Sequence, residues 1–133
     1  MYIRDGQPSV VIGSMPVGTG GVTKGDLVVV SANTVVKAAA APTAATVLGI
    51  ALKTVAATGY VDVELVADRI ITAKYVTGSK TSVVDADKTK VFDLTDAQSI
   101  NLDDTTGGCC FCVGYDNVAK TMDFLVTEAA KIV

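Results

Sequence analysis

The chain has 133 residues, 50% hydrophobic but only 5% aromatic, with 11 basic and 14 acidic side chains and a net charge of −3. That length suits one ordinary domain, so apolar a chain is not disordered, and a slightly acidic one lacks the basic stripe of a nucleic-acid binder. Its 22 valines and 16 threonines are stiff at Cβ and suit strands rather than a helical bundle.

Residues 1–22 are irregular. Gly13, Pro16, Gly18, Gly20 and Gly21 punctuate them, and only Ser9-Val10-Val11-Ile12 reads as a short strand. The segment is expected to be an N-terminal arm or edge strand that orders against a partner. Its start, Met1 to Pro8, has no apolar core of the kind a signal peptide needs, so synthesis in a cytoplasm is expected. No stretch approaches the roughly 20 apolar residues that cross a bilayer.

Strands then follow quickly. Asp26–Ser31 is a near-continuous apolar run, Ala32-Asn33 a turn and Thr34–Ala38 a returning strand, which together predict a tight hairpin. The Ala-rich stretch 38–45 contains Pro42 and is too short to hold a helix alone, so it reads as a loop. Val47–Lys53 is the next strand. Gly49 inside it signals a bulge or a close backbone approach. Tyr60–Val66 has a period of two, with Val61, Val63 and Leu65 on one face and Tyr60, Asp62, Glu64 and Val66 on the other. Arg69–Val76 follows a turn at Ala67-Asp68. Beyond a composition shift near 77–85 come the short strands 90–94, 99–102, 108–115 and 121–127, with 128–133 as a tail.

About nine or ten short strands at close intervals predict an all-β fold, a compact antiparallel sandwich or barrel. The arm would span residues 1–22 and a single β domain 23–133, with subregions 23–80 and 81–133.

The chemistry the chain can offer is narrow. There is no histidine, so the commonest general base and metal ligand is missing and an enzyme is not expected. Cys109, Cys110 and Cys112 sit on one strand, which does not aim three thiolates at one zinc. They read as small buried hydrophobes in a reducing environment. Asp85-Ala86-Asp87 begins like a calcium loop. However, Lys90 stands where glycine is needed and Asp96 where a bidentate glutamate belongs, so a solvated acidic loop is expected. Gly13-x-x-x-x-Gly18 lacks the lysine of a phosphate loop, and Gly18–Gly21 reads as a flexible hinge. No cofactor, metal or small-molecule substrate is expected.

Four segments in order carry a resemblance: Lys24-Gly25-Asp26-Leu27-Val28-Val29, Thr34-Val35-Val36-Lys37-Ala38, Val47-Leu48-Gly49-Ile50-Ala51 and Gly59-Tyr60-Val61-Asp62-Val63. Over residues 22–72 the chain resembles the capsid cement, or head decoration, proteins of tailed bacteriophages. It departs from their pattern at Asp68-Arg69, where a turn glycine often stands. The resemblance implies a non-enzymatic β-rich protein, often trimeric, on the outer capsid surface of a virion. There it would brace major capsid protein subunits, with no nucleic acid or membrane as partner. On that reading the arm supplies contact residues, namely Tyr2, Ile3, Arg4, Val10, Val11 and Ile12. It would add to a partner's sheet edge by main-chain hydrogen bonds. Two alternatives stay open. One is a small β-rich binding or carrier module, for which Lys74 would be the attachment lysine were it not mid-strand. The other is a calcium-binding β protein using residues 85–104.

Overall fold

The computed structural model describes residues 1–126 apart from 5, 7 and 43; the expected tail lies outside the described residues. Among these are eleven strands: β1 (Tyr2–Ile3), β2 (Val11–Pro16), β3 (Leu27–Ser31), β4 (Thr34–Lys37), β5 (Val47–Ala51), β6 (Tyr60–Leu65), β7 (Ile70–Val76), β8 (Val91–Asp96), β9 (Ser99–Asn101), β10 (Cys110–Asp116) and β11 (Thr121–Leu125). The fold is all-β, in two sheets. One has the order β1-β7-β11-β10-β8-β9, the other β2-β6-β5-β3-β4. Apart from β1, the strands of the two sheets part at residues 66–69, upstream of the composition shift.

Each sheet curls back on itself. The first half of β7 pairs with β1, and its second half pairs with β9 through Lys74↔Ser99, Tyr75↔Ile100 and Val76↔Asn101. That closes β7 to β11 into a small barrel. This ladder is parallel, whereas the sequence suggested only antiparallel pairing; the long connection between β7 and β9 gives the chain room to return in the same direction. In the other sheet the end of β2 reaches β4 through a Val17↔Val35 bridge, and the Gly18 N–H donates to the Val35 carbonyl at 2.9 Å.

Two apolar cores result. The first fills the barrel with Ile71, Phe92, Leu94, Ile100, Met122 and Phe124, and takes in Leu27 and Ile50 from the second sheet. The other joins Val17, Val22, Val28, Val35, Val61 and Val63. Strand β3 serves both, with Leu27 in one core and Val28 in the other. Burial on two faces explains the apolar start of the run, Leu27 and Val28, whereas Val30 near its end is exposed. Strand β6 serves one core through Val61 and Val63, hence its alternation. Val66, two residues beyond Glu64 on the face that β6 shares with Ile50, is buried in the first core.

The β3–β4 turn places Ala32 at φ 48° and Asn33 at φ 64°. Two positive φ angles are what a two-residue hairpin turn demands. The expected hinge at Gly18–Gly21 is instead a bonded turn. The Gly21 N–H donates to Gly18, the Val22 N–H donates to Val55, and a Cβ on Gly21 would meet the Val55 carbonyl at 2.8 Å. The loop after Ala38 ends in a single 3-10 turn, Ala44–Thr46.

Candidate functional site

The N-terminal segment does not stand away from the body. β1 is an edge strand of the first sheet and β2 an edge strand of the second. The main-chain groups expected to serve a partner therefore serve this chain's own ladders, Tyr2↔Thr72 and Ile3↔Ile71 on β7, Val11↔Glu64 and Ile12↔Val63 on β6. Strand β2 is also bulged between Ile12 and Met15. Ser14 there has φ 56°, and its N–H donates to Asp62 Oδ1 at 3.0 Å. Such a bulge twists an edge away from further pairing.

The six expected contact residues fall into two groups. Tyr2, Val10 and Val11 are exposed, at 60%, 58% and 48%. Ile3 packs against the first core, and Ile12 lies opposite buried Val63. Arg4 is engaged within the fold: its guanidinium pairs with Asp123, and its N–H donates to the Ile70 carbonyl at 2.8 Å. Asp123 also accepts from the Thr72 hydroxyl at 2.7 Å. Arg4 thus ties β1 to β11 across β7. Nothing in the sequence signals this, since the partner lies 119 residues away. Arg4→Ala is expected to cost about 1 kcal/mol, because the arginine end of the pair remains largely in water. Urea unfolding should show a lower midpoint at unchanged slope; an unchanged midpoint would contradict the tie.

The cross-strand register makes a row Leu27↔Ile50↔Glu64↔Val11. Leu27 and Ile50 are buried, Glu64 is half-buried and Val11 is exposed. The face that packs on the barrel at β3 and β5 therefore runs out into solvent at β6 and β2.

The acidic stretch is not simply solvated, as its composition suggested. Asp85–Asp87 forms one 3-10 turn. Asp87 is buried, and its carboxylate accepts from Lys80 at 2.8 Å, Lys90 at 3.1 Å and the Val84 N–H at 2.9 Å. Asp93, also buried, accepts from the Ala41 and Leu94 N–H groups. Asp96 accepts from Gln98 N–H, Asp103 from Ser79 and Lys80 N–H, and Asp104 from Thr106 N–H. These carboxylates satisfy backbone donors in turns. Among the described residues no three His, Cys, Asp or Glu side chains converge on one point.

All three cysteines are free and buried. Burial, and then the neighbouring Cys109 thiol, push Cys110 well above the ordinary thiol range; burial raises Cys112 as well. Neutral buried thiols are poor nucleophiles. A thiol reagent should leave the native protein unlabelled and modify all three cysteines in denaturant. Rapid labelling of the native protein would contradict the packing of β10.

Two further features complete the surface. An open cleft of about 620 Å³ lies between β1 and the β10–β11 turn, lined by Tyr2, Arg4, Tyr115 and Asn117 among others. Asn117 pins that turn, accepting from the Tyr75 hydroxyl and Val83 N–H and donating to the Val83 carbonyl. Lys74 is exposed in the middle of β7, paired with Thr121 and Ser99, and not at a hairpin tip. No helix among the described residues is long and apolar enough to cross a membrane. No family model matches the chain, and no curated protein matches it.

Proposed function

We propose that the protein is a capsid decoration, or cement, protein of a tailed bacteriophage. It would sit as a trimer on the outer surface of the mature head and bridge major capsid protein subunits. The observation that carries this reading is where the resembling segments fall. They occupy four consecutive strands, β3 to β6, of one sheet, and their distinctive residues have structural reasons. Gly25 adopts φ 90°, and buried Asp26 accepts from the Thr23 N–H at 2.8 Å and from Gln98 at 2.8 Å. A Cβ on Gly59 would meet Val55 Cγ1 at 2.5 Å and the Ala56 carbonyl at 3.1 Å, so the valine would have to shift.

A body with curled sheets and two cores suits a clamp that must not deform. Repetition over a shell converts modest contacts into high total stability through avidity. A ligand that binds only the mature shell stabilises it by mass action. The test is co-sedimentation with phage shells that lack this protein. Saturable binding to expanded shells and not to unexpanded ones is expected, and no binding to either would overturn the reading. Light scattering should give three times the 13.6 kDa chain mass; a monomer at all concentrations would remove the trimer.

A further inference from the structure

We infer that the outer face of the β2–β6 edge is a docking surface for a partner that presents an apolar pocket with a lysine or arginine at its rim. The inference deepens the decoration reading, for it names the chemistry a capsid surface must bring. It starts from which groups on this edge are already used. The backbone of β2 is paired with β6 on one side and bulged at Gly13-Ser14, a twist that disfavours strand addition on the other. What the face offers outward is side chains: Val11 at one end and Tyr60, opposite Pro16 and 68% exposed, at the other, with Val10 exposed beside Val11 at the rim.

Glu64 sits directly across from Val11. Directly opposed residues on neighbouring strands have Cβ atoms about 5 Å apart. A partner that covers Val11 therefore covers Glu64 too. Neither a hydrogen bond nor an ion pair reaches the Glu64 carboxylate among the described residues. The other acid on this face, Asp62, is committed to the Ser14 N–H. Strands β2 and β6 contain no lysine or arginine. Arg69, just beyond β6, donates to the Pro8 carbonyl at 3.1 Å.

Removing a carboxylate from water without supplying a cation is strongly unfavourable. An uncharged apolar partner would be rejected at this edge, and an acidic one repelled. A basic rim around an apolar pocket satisfies both Val11 and Glu64, and selects against partners that lack it.

The test uses the intact protein and two short peptides, one alternating leucine with lysine, the other leucine with glutamate. Amide shifts are followed by NMR. The basic peptide should shift residues 10–12 and 60–64, and the acidic one should leave them unmoved. Glu64→Gln should weaken the basic peptide's binding by about tenfold, an effect worth one decade in Kd, and Glu64→Lys should abolish it. Val118→Ala, at the distant β10–β11 turn, should change nothing. Shifts elsewhere only, equal shifts with both peptides, or full binding by Glu64→Lys would overturn the inference. Shell binding is scored separately. If shells bind Glu64→Lys as well as the natural chain, this inference fails and the decoration reading stands. If the basic peptide maps to this edge while shells bind nothing, the decoration reading fails and this inference stands.

Discussion

Gly49→Ala is expected to destabilise the protein by about 3 kcal/mol or more, at the upper end of what overpacking a filled interior costs. The glycine lies in the middle of β5, paired with Val28 on one side and Leu65 on the other. An added Cβ would sit 2.0 Å from the Glu64 carbonyl oxygen and 2.7 Å from Val63 Cγ1. The valine could turn aside, but the carbonyl belongs to the β6 ladder and yields only if β5 and β6 separate. Those strands carry Ile50 into the first core and Val63 into the other, so both cores would loosen together. Denaturant unfolding measures the loss. Gly20→Ala is the contrasting case: that glycine has φ 89° and nothing within 4 Å of an added Cβ, so only backbone strain opposes it. It should cost about 1 kcal/mol. Equal costs at the two positions would contradict the close approach at β5.

The second large effect belongs to Asp87. Burial would raise its carboxyl, but Lys80, the Val84 N–H and Lys90 outweigh that and hold it at about 2, from an ordinary 3.8. A lowered folded value means stability that is fully present above the unfolded value and is lost as pH falls through the folded one. Linkage puts this contribution at about 2 kcal/mol, lost between about pH 4 and pH 2. Asp87→Ala at neutral pH should cost about 3 kcal/mol, the low end for breaking a buried pair, because both lysine ends can return to water. Thermal melts of the two proteins should converge as pH falls toward 2. Curves that stay parallel would show that the carboxylate is not the source of the difference.

The parts of this fold that are legible in the sequence are those set by near neighbours. Ala32-Asn33 between two valine runs marks a hairpin because the turn needs only local backbone angles. Tyr60–Val66 shows its period because Val61 and Val63 are buried in the second core while Tyr60, Asp62 and Glu64 between them stay at least partly exposed. Gly49 advertises a close approach without naming what comes close. The rest depends on distant partners. Strand β1 is too short to signal itself, and β2 shows only its start, in Ser9–Ile12, because glycine, proline and the Ser14 bulge break its alternation beyond that; the pairing partners of both lie about 50 to 70 residues along the chain. The parallel β7–β9 ladder has no local signature at all.

The site was legible to a similar degree. Of the six residues expected in a contact segment, Tyr2, Val10 and Val11 are exposed and Ile3 packs against the first core. Arg4 carries nothing to distinguish a contact residue from one tied to Asp123. Likewise Asp87 and Asp93 read as solvated acids because composition cannot show which backbone N–H groups or lysines a carboxylate will meet. Glu64 shows in the sequence only the face it occupies, and the register sets it against Val11.

The proposed role of this body is to bind the outside of a viral shell. Electron cryomicroscopy of expanded shells lacking the protein, mixed with a saturating amount of it, tests that most directly. Protrusions at the local symmetry axes, with the β2–β6 edge turned toward the capsid, are the predicted result. Bare shells, with the protein folded and free in solution, would contradict it.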